Sequence, residues 1–376
     1  MTTCEQDQHW MQRALELARN GQGHVEPNPL VGCVIVQENQ LLAVGWHQQF
    51  GGAHAEIDAL QKAGNAAAGS TLYVTLEPCA HHGKTPPCTE SIITAGVARV
   101  VVGQVDPFAQ VNGQGIASLE AAGIQVDSGI LQDACRQLNA PYLKRCLAGK
   151  PWVLAKWAMT LDGKIAAQDG SSRWISSPSS RQIVHQLRGR MDAIIVGRQT
   201  ALLDDPQLTA RPAGSRIATR IVMTANADLP DHLALVRTAK DIPTLVVCGP
   251  DTPAEKRASL AAAGCQLLVC GSTDHPEMID TLLQELGQRE MSNVLLEGGG
   301  ELLGSWFDAG AIDEVHCFLA NKIIGGSEAP GPIAGTGRTS MSVACSLDGL
   351  QSRPVENDLY LWGHLQKTID PPVAES

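Results

Sequence analysis

Residues 51–60 read GGAHAEIDAL: two glycines, then a histidine and a glutamate two residues apart where an apolar-periodic segment begins. The glycines permit a sharp turn, and the periodicity predicts a helix from about Ala53 to Lys62 that opens with His54 and Glu56. A lone His-x-Glu is too common to specify chemistry. Downstream, residues 75–88, TLEPCAHHGKTPPC, add Cys79 and Cys88. One histidine and two thiolates form a three-ligand set for zinc, leaving the fourth tetrahedral position to a water whose pKa falls to about 7. Glu56 is not needed as a ligand; beside the metal it can carry the water's proton to a ring nitrogen and then to departing ammonia. Cys88 starts the next predicted helix, where the positive end of the dipole favours the ionised thiol. A fourth ligand from His81 or His82 would make the zinc structural instead, and the spacing alone leaves that open.

Working outward, residues 8–20 have helical spacing ending near Gly21, and LVGCVIVQENQLLAVGWH (30–47) reads as two strands joined at residues 38–40. STLYVTLEPC is a strand entering a loop at Pro78, CTESIITAGV a helix, ARVVVGQVD a strand and GIASLEAAGI a helix. This alternation predicts a layered α/β domain of residues 1–150. LQDACRQLNAPYLKRCLAG contains Pro141 and reads as two helices or a kinked one; Gly149-Lys150-Pro151 marks a boundary. A second α/β set follows over residues 151–376. Its strands are expected at WVLAKWAM, DAIIVG, RIVMTA, TLVVCG, QLLVC, NVLLEG, EVHCFLANKII and DLYLWGHLQ, and its helices at SRQIVHQLRGR, AEKRASLAAAG and MIDTLLQELGQR. No Gly-x-Gly-x-x-Gly follows the first of these strands, so an ordinary Rossmann site is not indicated. Instead Gly298, Gly299 and Gly300 join a strand to a helix, where free N–H groups can meet a pyrophosphate.

The composition narrows the function classes. Hydrophobic residues make up 44% of the 376 and the formal net charge is -11. Residues 1–150 carry 9 basic and 13 acidic side chains, and the rest 19 and 26. Neither half has the basic excess of a nucleic-acid surface, and no apolar run is long enough to span a bilayer. The opening MTTCEQDQHW lacks a signal peptide's apolar core. The 11 scattered cysteines suit a reducing, cytoplasmic setting. Cys33, Cys135, Cys146, Cys248, Cys270 and Cys317 stand in apolar contexts and read as small buried hydrophobes.

Zinc nucleobase deaminases carry His-x-Glu followed by Pro-Cys-x-x-Cys. Here His54-Ala55-Glu56 and Pro78-Cys79 fit, but eight residues rather than two separate the cysteines. That longer loop, EPCAHHGKTPPC, resembles the deaminase part of the riboflavin-pathway bifunctional deaminase/reductase family. PNPLVGCVIV, GWHQQFGGAHAE and AGVARVVVGQVDP fit the same family in the same order. KWAMTLDGKIA, SRWISS, VGRQTALLDDPQLTAR and LLEGGGELLGSWF resemble its reductase part, and the likeness spans about residues 8–362.

The resemblance implies a cytidine-deaminase-like α/β/α zinc domain followed by a dihydrofolate-reductase-like α/β domain. It implies hydrolytic deamination of a diaminopyrimidinone carrying ribose 5-phosphate, then NADPH reduction of the ribose to ribitol, with one Zn2+ per chain. In the first domain it implies Glu56 as catalytic residue, His54, Cys79 and Cys88 as zinc ligands, and recognition by Asn28, His47, His81 and Lys84. In the second it places Lys156, Ser172, Arg188, Leu208, Arg211 and Glu297 at the substrate, with Arg188 and Arg211 suited to a bidentate hold on phosphate. Ala158, Trp174, Thr200, Asp204 and the loop Gly298, Gly299, Gly300, Glu301, Leu302, Leu303 lie along NADPH. The expected partner is this small molecule, with no nucleic acid and no membrane, and a homo-oligomer is expected. Two stretches depart from the family: Phe108-Ala109 replace Asn-Pro, and Thr224-Ala225 replace Asp-Ser. Rival readings are a nucleoside or tRNA deaminase with an unrelated tail, a zinc-stabilised binding module, and a chain with only one live activity.

Overall fold

The computed structural model describes residues 3–80, 86–108 and 111–366; His81, His82, Lys84 and Ala109 lie outside them. The chain divides into two compact units, residues 1–149 and 150–376.

In the first unit a five-stranded sheet runs β2-β1-β3-β4-β5, with β1 (Gly32–Gln37), β2 (Gln40–Trp46), β3 (Thr71–Val74), β4 (Arg99–Val102) and β5 (Gln125–Ser128). β1 is antiparallel to both neighbours, whereas β3, β4 and β5 are parallel. Side chains alternate across a strand, so β1 feeds two cores. Cys33 and Ile35 pack with α2 (Ala55–Ala63), α3 (Cys88–Thr94) and α4 (Gln114–Ala121). Val34 and Val36 pack with α1 (Thr3–Ala18) and α5 (Gln132–Leu138). Around Pro141 there are two helices, α5 and α6 (Ala140–Ala148), the proline taking the first turn of α6. Gly45 brings α2 against the sheet: a Cβ there would lie 2.2 Å from the Ala55 carbonyl oxygen. The residue that begins α2 is therefore fixed at the end of β2.

The second unit holds a nine-stranded sheet ordered β10-β9-β8-β7-β11-β6-β12-β14-β13. Its strands are β6 (Trp152–Thr160), β7 (Ala193–Gly197), β8 (Thr219–Met223), β9 (Thr244–Cys248), β10 (Gln266–Val269), β11 (Asn293–Glu297), β12 (Glu314–Ala320), β13 (Leu347–Val355) and β14 (Asp358–Leu365). β10 through β12 are parallel, and β14 and β13 add antiparallel strands at one edge. One face packs on α11 (His275–Gln288) and α12 (Gly300–Asp308). The other packs on α7 (Pro178–Arg188), α8 (Arg198–Asp204), α9 (Ala234–Arg237) and α10 (Ala254–Ala262). Ser177 caps α7 by accepting from the Ser180 N–H, with Pro178 in the first turn.

Three expectations are corrected. The strand expected over residues 314–324 ends at Ala320, because the Ile324 and Gly325 N–H groups turn away to donate to Asp162. β5 and β13 were not foreseen; both are sheet edges, half or largely exposed, so neither shows an apolar alternation. Among the six cysteines read as buried, Cys146 is only half-buried.

Candidate active sites

His54 precedes α2 with an extended backbone, Cys79 follows β3, and Cys88 is the first residue of α3. Their ligand atoms all lie within 4.8 Å of one another. His54 Nδ1 is 3.2 Å from Cys88 Sγ and 3.6 Å from Cys79 Sγ, and the Cys88 N–H points at Cys79 Sγ from 3.4 Å. Hydrogen bonding with Cys88, against the penalty of burial and helped by His54, holds the Cys79 thiol down at about 4. Glu56, in the first turn of α2, is 3% exposed, and burial raises its carboxyl above the ordinary range.

His47 connects this cluster to Asn28. Its Nδ1 lies 2.9 Å from the Ala53 carbonyl, which can only accept, so Nδ1 carries the proton and Nε2 accepts from Asn28 Nδ2 at 3.2 Å. Burial lowers the His47 pKa and keeps the ring neutral. The ring meets His54 edge-to-face at 5.6 Å. Asn28, His47, His54, Glu56, Cys79 and Cys88 thus come together; His81 and Lys84 fall outside the described residues. At the departure from the family pattern, Asp106 still organises its loop, accepting from the Phe108 N–H at 3.0 Å and the Tyr142 hydroxyl at 2.9 Å.

In the second unit a cavity of about 1700 Å³ opens over the carboxyl ends of β6, β7, β8 and β11, where ligands bind in open parallel sheets. It is bordered by every residue expected to meet substrate or cofactor there except one, Leu303. That side chain is fully buried in the core, while Leu302 beside it reaches the cavity; adjacent helical residues point to different faces. Leu208 borders the cavity with its side chain turned into the opposite core.

Arg188 differs more from expectation. Its Nε and Nη2 are both spent on Glu297, at 2.7 Å each, so the fork expected to grip phosphate already holds a carboxylate. Burial opposes the Glu297 charge, but Arg188 outweighs it and holds the carboxyl at about 2. Lys156 sits in register between Glu297 on β11 and His316 on β12, and burial lowers its pKa. Arg211 is exposed and, among the described residues, hydrogen-bonds only neutral oxygens, Gln207 Oε1 at 2.9 Å and Thr209 Oγ1 at 3.2 Å. Among the described residues no carboxylate pairs with it.

The residues present suit the groups implied. A nitrogen and two sulfurs form a donor set matched to zinc. The cavity is large enough for a dinucleotide with a second ligand. A Cβ at Gly299 would point into open space, with Thr200 Oγ1, 4.0 Å away, its one near neighbour, and α12 begins at the next residue. Thr224 Oγ1, at the rim, is buried without a hydrogen-bond partner among the described residues.

A family model for the RibD C-terminal domain matches residues 151–361, and one for the cytidine and deoxycytidylate deaminase zinc-binding region matches residues 4–104. Riboflavin biosynthesis protein RibD from Synechocystis is 42% identical over 362 residues, 96% of each chain. The chain belongs to the RibD family. Among solved structures, RibD from Acinetobacter baumannii superposes with a TM-score of 0.83 at 35% identity, covering 97% of this chain and all of that one. A Thermotoga maritima structure superposes at 0.81 and 30% identity over 96% and 99%; it is described as a diaminohydroxyphosphoribosylaminopyrimidine deaminase/5-amino-6-(5-phosphoribosylamino)uracil reductase.

This RibD-family chain is accordingly a bifunctional deaminase and reductase of riboflavin biosynthesis, with the α/β class expected for both parts. The zinc-binding match contains His54, Cys79 and Cys88, and the RibD C-terminal match contains the whole cavity lining. No helix among the described residues is long and apolar enough to cross a membrane. Among the cavity residues that the sequence reading did not single out is Arg181, whose guanidinium stacks 4.3 Å over Trp174. With His185 and Arg188 it forms a stripe along α7 at helical spacing, a signal that was available.

Proposed function

We propose that the first unit deaminates 2,5-diamino-6-(5-phosphoribosylamino)pyrimidin-4(3H)-one hydrolytically, and that the second reduces the ribosyl group of 5-amino-6-(5-phosphoribosylamino)uracil with NADPH. The observation that carries the proposal is the convergence of His54, Cys79 and Cys88 beside a buried carboxylate, in a chain whose other unit opens a dinucleotide-sized cavity. The two activities by which the Thermotoga maritima relative is described supply the substrates.

His54, Cys79 and Cys88 would hold the zinc, which would supply a Lewis acid that makes water nucleophilic at neutral pH. Glu56 would pass one proton of the water to the ring nitrogen and the second, from the newly bonded hydroxyl, to the amine, so that ammonia leaves as the ring carbonyl forms. Its burial keeps bulk water from competing for those protons. Asn28, fixed by His47, offers its amide to the base edge, and His81 and Lys84 belong to the same recognition proposal.

In the second unit bound NADPH would supply a hydride to C1 of the open-chain ribose, with one proton taken up from solvent to complete the reduction. Ala158, Trp174, Thr200, Asp204 and the backbone from Gly298 to Leu302 would hold the dinucleotide, and the start of α12 offers free N–H groups suited to a pyrophosphate. Ser172, Lys156, Glu297 and the backbone at Leu208 face the substrate. Arg211 takes its phosphate, and Arg188 serves chiefly to keep Glu297 ionised and in place. A cytoplasmic setting is part of the proposal, supported by 11 free cysteines. So is self-association, for which the outer edge of β13 offers unpaired backbone.

The test measures metal content, ammonia release and NADPH consumption on one purified sample given the diaminopyrimidinone. One zinc per chain, ammonia, then NADPH oxidation are expected. Zinc without ammonia defeats the deaminase assignment, and ammonia without NADPH oxidation defeats the reductase assignment.

A further inference from the structure

We infer that Glu77 is the positioning residue for the ligand thiolate Cys79, acting through a backbone clamp rather than on substrate. Glu77 is 4% exposed, and among the described residues no basic side chain pairs with it. Four backbone N–H groups offset its charge instead. Oε2 accepts from Asp106 at 3.1 Å and Gly113 at 3.0 Å, and Oε1 from Gly115 at 2.8 Å and Ile116 at 3.2 Å. Its own N–H donates to the Gln104 carbonyl at 2.9 Å. One carboxylate thereby ties the end of β3 to the loop after β4 and the first turn of α4.

The clamp reaches the metal set along the chain Glu77-Pro78-Cys79. Pro78 has its φ locked, so little slack separates the clamped residue from the ligand. Gly115 closes over this junction: a Cβ there would lie 2.0 Å from the Pro78 carbonyl oxygen and 3.1 Å from Glu77 Oε1. From the other side the Cys79 carbonyl accepts from the Thr89 N–H and Thr89 Oγ1, each at 3.3 Å, at the start of α3. Cys79 is therefore gripped between α4 and α3, the second of which also presents Cys88. Charge-assisted bonds of this kind are roughly twice as strong as neutral ones, and losing the groups that orient a ligand typically costs 10–100-fold in metal affinity.

The inference rests on the zinc reading of His54, Cys79 and Cys88, and wild-type metal content tests that reading separately. Glu77→Gln keeps the shape but turns an NH2 toward two of the four donors. In the full chain, zinc affinity by chelator competition is expected to fall at least about tenfold. The visible spectrum of the cobalt-substituted protein should shift, while NADPH-dependent reduction is unchanged. Unaltered affinity and spectrum in folded Glu77→Gln overturn the inference, as does a lower melting temperature with unaltered affinity, since Glu77 would then only support the fold. Should the variant not fold, the wild type decides. Coupling is reciprocal, so stripping zinc must speed amide exchange at Gly113, Gly115 and Ile116 more than in β4, and equal protection overturns it. A wild-type chain that binds no zinc defeats the metal reading itself.

Discussion

Three candidate ligand atoms from residues 54, 79 and 88 converge within 4.8 Å in the first unit, two of them at helix starts that short-range sequence already marks. In the second unit, groups spread over residues 156–302 border one cavity of about 1700 Å³. Much of what they offer is backbone, or side chains already paired with one another. A compact side-chain site concentrates its chemistry in one proton carrier, whereas a cavity at strand ends distributes it. Single substitutions should therefore act on the two units very differently.

The largest effect is expected from Glu56→Gln. Removing the proton carrier should lower ammonia release by roughly 10²–10⁴-fold, with zinc retained. NADPH oxidation, assayed with the uracil intermediate supplied directly, should be unchanged. Loss of both activities together would break the comparison, because it would mean that the two sites do not work independently.

Arg188→Ala tests the paired character of the second site. It leaves the Glu297 carboxylate, 8% exposed, without its partner, at a cost of roughly 3–5 kcal/mol at neutral pH. The sign with pH follows from Glu297, which is held at about 2 against an ordinary value of about 4.3. A depressed carboxyl contributes stability fully above the ordinary value and loses it as pH falls toward the folded value. Urea unfolding of the second unit should show the widest gap between wild type and Arg188→Ala near pH 7, narrowing between roughly pH 4 and pH 2. A gap independent of pH would mean that the ion pair is not what the substitution removes.

The same contrast explains what could be read beforehand. His54, Glu56, Cys79 and Cys88 were legible because zinc chemistry constrains residue type and spacing, and both α2 and α3 begin where glycine or proline marks a turn. The Arg188–Glu297 pair spans 109 residues, so no local pattern foretells that the arginine's fork is already occupied. Leu302 and Leu303 share the same chemistry, and only the helix register of α12 sends one to the cavity and the other to the core. β13 was invisible because an exposed edge strand containing Pro354 has no buried face to impose alternation. Nothing in the sequence singles out Glu77, since its partners are backbone N–H groups 29 to 39 residues away.

The smallest and sharpest effect belongs to Arg211→Ala. Its side chain is exposed and, among the described residues, bonded only to neutral oxygens, so truncation should leave stability within about 0.5 kcal/mol of wild type. A bond to a charged partner contributes about 1.5–3 kcal/mol. Losing the phosphate contact should therefore raise the reductase KM about tenfold or more, with kcat little changed and ammonia release untouched. Arg211→Lys should recover part of the loss, because a point charge attracts phosphate but cannot match its geometry with a planar fork. If Arg211→Ala leaves KM unchanged while Arg188→Ala raises it with stability intact, the two arginines have exchanged roles, and the buried pair with Glu297 must open to admit the phosphate.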